Sequence, residues 1–311
     1  MSGSSVTISR VGRLSGRRTP WGMLVPMLAL AVVFGLVPLV HSAWLMLHRT
    51  SGPGSLRFVG LRNIIGLWHD REFLLSMRNT LVFVIASLVV QVPLGLGLAL
   101  VSARLRGWRS VLLRALVFGP NLVGAAFAAV IFAVLLEPRF GPVSRLLGWA
   151  ARAFPGADMT AEPRWLSDPS LVLPTTVAVA AWVGVGFNTV FFHAALRSVP
   201  RGPHEAALLA GAGAWTRFWS ITLPAIRPVA VFLLVLNTVL AFRVFELPWI
   251  LQRGTPGPDK SALFVVTYLY ETGFVRGDLG AASAIGWVIT VVVVVLALAQ
   301  NAMGGSWRAT R

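Results

Sequence analysis

Few side chains in this 311-residue chain are placed for covalent chemistry. The five histidines, His41, His48, His69, His193 and His204, are scattered and show no metal-ligand spacing. No nucleophile–base constellation appears. There is no cysteine, which excludes disulfides, Cys-ligated zinc and iron–sulfur clusters. One stretch, GTPGPDKS at 254–261, approaches a phosphate-binding loop. That motif needs a glycine just before the lysine so that the backbone can wrap the phosphates. Asp259 stands there, beside Lys260, and would repel them. ATP binding through such a loop is therefore excluded, and energy for any work must come from another protein. No cofactor is expected.

What remains is the chemistry of binding and coupling. Arg243 and Glu246 interrupt an apolar run. A charge at the centre of a membrane helix costs about 2.5–3.5 kcal/mol on insertion scales. Three residues apart, the two would share a helix face and could pair. Two readings stand: an ion pair that only holds helices together, or a wall of a substrate path. Trp182, Asn188 and Phe191 offer aromatic faces and an amide, the combination that grips a sugar. Ordinary helix packing is the alternative. Asn237 is expected to make an interhelical hydrogen bond.

The segment 197–224, RSVPRGPHEAALLAGAGAWTRFWSITLP, is too long for a turn and too polar to span a membrane. Pro200 and Pro203 suit a helix start. Glu205 is expected in the first turn, where the helix dipole favours a negative charge. Ala206, Ala207, Ala210, Gly211, Ala212, Gly213 and Ala214 form a small-residue face that another surface can approach closely. Gly211 and Gly213 are expected to end the helix. Trp215, Phe218, Trp219 and Ile221 predict a second, amphipathic stretch lying at an interface.

The elements that position these residues belong to a membrane. Hydrophobic residues make up 56% of the chain and charged ones 12%, about half the charge usual in a soluble domain. Six runs reach the ~20 apolar residues a membrane helix needs: about 21–47, 79–103, 113–136, 171–196, 225–251 and 280–303. None alternates with period two, so helices are expected, not barrel strands. Pro26, Pro38, Pro93 and Pro120 are tolerable there because neighbours re-satisfy the freed carbonyls. Residues 1–20 form a basic tail resembling a signal's n-region, but the apolar run is long and an uncleaved first span is expected. With the N-terminus inside, inner segments hold 14 Lys/Arg and outer ones 12, with five in 48–78. The inner segments are shorter, so charge density favours N-in, C-in. Small pairs, Gly280 with Ala284 and Ala282 with Gly286, predict close packing of the last span. The net charge of +16 is dispersed between apolar runs, which argues against nucleic acid.

Glu205-Ala206-Ala207, Gly211 six residues after Glu205, and Leu223-Pro224 resemble the "EAA" loop of ABC-importer permeases. Many members of that family carry Asp where this chain has Ala210. Phe58-Val59-Gly60-Leu61, Asn63, Arg78-Asn79-Thr80, Trp165-Leu166, Asp168-Pro169, Trp182, Gly184-Val185-Gly186-Phe187 and YLYETGF at 268–274 resemble the maltose and glycerol-3-phosphate branch. Thr255-Pro256-Gly257-Pro258 replaces that branch's fuller Gly-Gly-Gly-Pro. Coverage is roughly residues 20–303.

The resemblance implies an all-α membrane protein of six spans with a cytoplasmic helix–turn–helix at 197–224 and a C-terminal tail at 304–311. It implies docking of an ATPase on Glu205, Ala206, Ala207, Gly211, Leu223 and Pro224. It implies a substrate path drawing on Trp182, Gly184, Asn188, Phe242, Arg243, Phe245 and Glu246. The expected partners are a second homologous permease, two ATP-binding cassette subunits, an extracytoplasmic solute-binding protein, a sugar-like substrate and the lipid bilayer of a bacterial inner membrane. Rival readings are a permease for a non-sugar solute, a secondary transporter and a membrane enzyme. The second needs coupling carboxylates in the spans, where only Glu246 stands; the third needs a polar catalytic cluster that is not found.

Overall fold

The computed structural model describes residues 21–50, 55–138, 140–146 and 164–305. The N-terminal tail expected at 1–20 and most of the C-terminal tail at 304–311 lie outside the described residues. The chain divides into two units, Met1–Trp44 and Leu45–Arg311.

The first unit carries α1 (Trp21–Ala31), a wide π-turn over Val32–Leu36, and α2 (Val37–Leu45). Together they supply the apolar run Leu24–Leu45, long enough to cross a bilayer. The π-turn precedes Pro38, whose ring has no N–H to give the preceding turn. The Val37 N–H reaches back to the Val32 carbonyl instead, a widening that accommodates the interruption.

In the second unit, a two-stranded antiparallel ribbon pairs β1 (His48–Thr50) with β2 (Leu56–Phe58). The helices that follow are α3 (Arg62–Leu67), α4 (Arg71–Arg104), α5 (Trp108–Val123), α6 (Ala125–Leu135) and α7 (Pro169–Ser198). After them come α8 (Arg201–Leu209), α9 (Ala214–Arg217), α10 (Leu223–Phe242), α11 (Glu246–Leu251), α12 (Val265–Tyr270) and α13 (Leu279–Gly305). Side-chain oxygens set the helix starts. Asp70 accepts from the Glu72 and Phe73 N–H groups at 2.8 and 3.3 Å and caps α4. Asp168 accepts from the Ser170 N–H at 2.9 Å and caps α7, with Pro169 at its first position.

α4 runs along α7, α5 packs on α7, and α10 packs on α13 and α4. Close approach comes from glycine. A Cβ on Gly95 would lie 2.5 Å from the Asn188 Cβ, and one on Gly186 would lie 2.1 Å from the Val117 carbonyl oxygen. Gly280 abuts the His48 carbonyl in the same way, with Ala284 fully buried behind it. Gly280, one member of a small pair expected in the last span, thus packs against backbone.

Two expected spans are not single helices. The run 113–136 is α5 plus α6, bent by 97° at Gly124. That residue has φ +81° and ψ 160°, a conformation open to glycine. The run 225–251 breaks after Phe242; Phe245 takes φ −138°, ψ −58°, and the chain turns helical again only at Glu246. Five described helical stretches are long and apolar enough to cross a membrane, and the bent pair brings the number to six if counted as one span.

Resemblance residues in α3 and α4 act as structural pins. The Asn79 side-chain amide donates to the Lys260 and Leu263 carbonyls at 3.1 and 3.2 Å. The Thr80 hydroxyl accepts the Val265 N–H at 2.9 Å. Asn63 donates to the Met46 and His48 carbonyls. Asn79→Leu strands two acceptors near the core and is expected to cost about 1–3 kcal/mol. A lower thermal midpoint in detergent is the measurement, and an unchanged midpoint would show these contacts to be dispensable.

Candidate functional site

The segment after α7 is built by local sequence. Pro200 stays extended at φ −60°, ψ 140° and lets α8 begin at Arg201. Glu205 is therefore the fifth helical residue, not one of the first turn as expected, because the helix starts at Arg201 and not at Pro203. α8 ends at Ala210, and Gly211 follows with φ +79°. The Ala212 N–H bonds to the Ala207 carbonyl at 2.9 Å and the Gly211 N–H to Leu208 at 3.0 Å. This paired closure is the Schellman end that a left-handed glycine permits. Gly213 does not end α8; it caps α9.

No residue of α8 is buried. Glu205 and Ala206 are exposed, Ala207 is half-buried, and Leu209 is 90% exposed. A nine-residue helix is marginal by itself in water, so an apolar edge left open this way calls for a covering surface. The expected separate interfacial helix at 215–221 is instead the start of the fifth span. α9 continues through a π-turn at Phe218–Thr222 into α10, which opens on Leu223 and Pro224. Trp215 meets Trp219 edge-on at 5.5 Å, and Trp215 is 74% exposed.

The second group lies where the fifth span breaks. α11 packs on α6, with Leu247 and Leu251 in one apolar cluster with Ala128, Ala129 and Val179. Trp182 is exposed on α7 and meets the Phe132 ring edge-on at 5.2 Å. Arg243 and Glu246 are both exposed. Among the described residues no ion pair joins them, and the shared helix face expected for them does not exist because the helix stops at Phe242.

Phe245 stacks on Trp249 at 5.6 Å and meets Tyr270 at 5.3 Å; Tyr270 in turn stacks on Phe274 at 5.4 Å. Burial raises the neighbouring Glu271 carboxyl above the usual carboxylate range.

Other expected path residues are taken up by packing. Asn188 is fully buried, and its Oδ1 accepts the Asn237 amide at 2.8 Å. That bond is the interhelical contact expected of Asn237. Phe242 is fully buried among Leu67, Val84 and Ile285. Gly184 is half-buried, and a Cβ there would lie 2.3 Å from the Gln91 side-chain oxygen. In this structure Asn188 and Phe242 therefore do not line a surface; Trp182, Arg243 and Glu246 do.

Residues 91–305 match the family described as binding-protein-dependent transport system inner membrane component. The chain belongs to this family. It is a permease subunit of an importer, not an enzyme, and an inner-membrane component that works with other proteins. The permease is 34% identical over 286 residues to the sn-glycerol-3-phosphate transport system permease protein UgpA of Yersinia enterocolitica, covering 90% of this chain and 92% of that one. It is 31% identical to the probable ABC transporter permease protein YurN of Bacillus subtilis, covering 90% and 94%. It is 30% identical to the lactose transport system permease protein LacF of Rhizobium radiobacter, covering 90% and 92%. A chain of a bacterial alginate ABC transporter, crystallised with an alginate pentasaccharide-bound periplasmic protein, shares its fold with a TM-score of 0.79 at 24% identity, covering 93% and 94%.

The aromatic ladder of the permease escaped the sequence reading, although a signal was present. Phe245 and Trp249 stand four apart, as do Tyr270 and Phe274, the spacing that aligns side chains on one helix face. Gln91 gave no such signal, because only the glycine opposite it explains its place.

Proposed function

We propose that this permease forms half of the translocation path of an ATP-driven sugar importer and takes its power stroke through α8. The observation that carries the proposal is the uncovered 201–209 helix, fixed at its end by Gly211 and exposed along its length. The other half of the path is a second, homologous permease. Two ATP-binding cassette subunits bind the ATP and receive Glu205, Ala206, Ala207 and Gly211, with Leu223 and Pro224 passing the movement into α10. A solute-binding protein delivers substrate from the opposite side. N- and C-termini face the cytoplasm, as the charge density favours. A sugar or sugar derivative as substrate is supported by relatives named for lactose, arabinooligosaccharides and sn-glycerol-3-phosphate. Trp182, Arg243, Phe245 and Glu246 are its contacts on this chain.

The test is charge reversal on the exposed helix. Glu205→Lys is expected to leave membrane insertion unchanged and to lower sugar uptake at least tenfold, roughly what one lost charge-assisted contact accounts for. Copurification of the cassette subunit should fall in parallel. Normal uptake by this variant would sink the proposal.

A further inference from the structure

The β1–β2 ribbon carries an arrangement that strand pairing disfavours. Its register sets Arg49 directly opposite Arg57, and like charges so placed repel. Arg62 follows a few residues later, and all three arginines line one cavity of about 650 Å³. That volume suits a body the size of a lipid headgroup or small metabolite.

Two carboxylates also line the cavity: Asp70 is engaged at the cap of α4 and by Tyr268, and Asp278 is shared between the start of α13 and Arg49. Asp70 caps α4 and accepts the Tyr268 hydroxyl. Burial first, then the Asp70 carboxylate, pushes Tyr268 up to about 12, so it keeps its proton and stays a donor at neutral pH. Asp278 accepts the Ala281 N–H at 3.0 Å at the start of α13 and lies 3.9 Å from the Arg49 side chain. Among the described residues no ion pair is found for Arg57 or Arg62. The Thr272 hydroxyl is buried on the cavity wall beside the Tyr268 hydroxyl.

The surrounding segment 48–78 holds five arginines. On the proposed orientation this is the outer side, where the bias of membrane proteins runs against such a cluster. Asp70, which caps α4, and Asp278 and Ala281 at the start of α13 line the cavity, which places it at the ends of membrane-spanning helices.

We propose that this cavity is a binding site for an oxyanion, the phosphate of a headgroup-sized ligand, seated between the Arg57 and Arg62 guanidiniums with Arg49 behind. A bound phosphate would turn the repulsion across the ribbon into attraction, and guanidinium forks match phosphate oxygens in pairs. The phosphate can come from an anionic phospholipid or from solution, and the experiment separates the two.

The full-length permease, with the subunits that copurify with it, is placed in nanodiscs of phosphatidylcholine, with or without phosphatidylglycerol. Its thermal midpoint is read against added inorganic phosphate. A rise with phosphatidylglycerol assigns the lipid source, and a rise with phosphate in phosphatidylcholine discs assigns the free anion. In either case Arg57→Gln with Arg62→Gln should weaken the response about tenfold or more. Arg106→Gln should not change it. Without anion, the double variant should be no less stable than the parent, since repulsion has been removed; Arg57→Gln alone serves if the pair does not assemble. The proposal is overturned if neither anion raises the midpoint, if the response survives in the variants, or if it appears only when a solute-binding protein is added. The readout needs no transport, so its failure is distinct from failure of the sugar-import reading.

Discussion

Gly211→Val abolishes ATP-driven uptake while the permease still inserts and folds: this is the expected result, and the backbone explains it. Gly211 sits at φ +79°, where an L-residue pays about 1–2 kcal/mol and a β-branched one more. The cost falls on a helix with little packing to hold it. α8 has no buried residue, and its end is fixed by the Gly211 and Ala212 N–H bonds to Leu208 and Ala207. Space is not the obstacle, because a Cβ on Gly211 meets nothing within 4 Å. Asparagine tolerates the left-handed region, so Gly211→Asn should restore most of the uptake despite its larger side chain. Gly202→Ala, in open space with no positive φ, should behave as wild type. Uptake into proteoliposomes, with ATP hydrolysis measured in parallel, separates lost coupling from lost assembly. If Gly211→Val transports normally, the helix end is not what the ATPase grips.

The second large effect is structural. Gly186→Leu should prevent stable assembly, because the obstacle is backbone. A Cβ there would lie 2.1 Å from the Val117 oxygen and 2.7 Å from the Phe118 Cα. A side chain could rotate aside; α5 can only move as a helix. Overpacking a well-filled core costs roughly 1–3 kcal/mol even where neighbours yield, and this substitution should exceed that. Membrane helices depend on such close contact for association. Gly97→Leu is the control, since a Cβ on Gly97 meets nothing within 4 Å. Thermal midpoint in detergent, with the amount of monodisperse protein, is the readout. Equal midpoints for the two variants would show that the α5–α7 crossing tolerates separation.

The spans were legible because continuous apolar runs need no partner to be recognised. Within 197–224 the end of α8 was legible, because Gly211 offers the left-handed turn that closes it; the continuation of 214–222 into the fifth span was not, since its aromatic residues suit an interface and a span alike. The bend at Gly124 was not, since hydrophobicity passes unbroken from Val123 to Ala125 and reports no dihedral angle. The break at 243–245 was hidden for the same reason: Leu247 to Leu251 resume the apolar run. A signal existed in Pro248, which cannot donate back to the preceding turn and suits a new helix start. Asn188 illustrates a different limit. An amide in a span can face a path or a neighbouring helix, and only Gly95 and Asn237, brought against it by folding, decide that it faces helices.

The Asn79 and Thr80 pins join the 260–265 segment to α4. At its other end, α4 is tied to α5 where the Ser110 hydroxyl donates to the Ser102 carbonyl at 2.9 Å. The 34 residues of α4 span about 50 Å, and the ties at Asn79 and Ser102 stand roughly 35 Å apart along it at 1.5 Å per residue. A rigid tilt of ~5° pivoting at Ser102 would carry the pinned 260–265 segment through roughly 3 Å. With one continuous helix fastened near both ends, neither end could shift in such a tilt without the other.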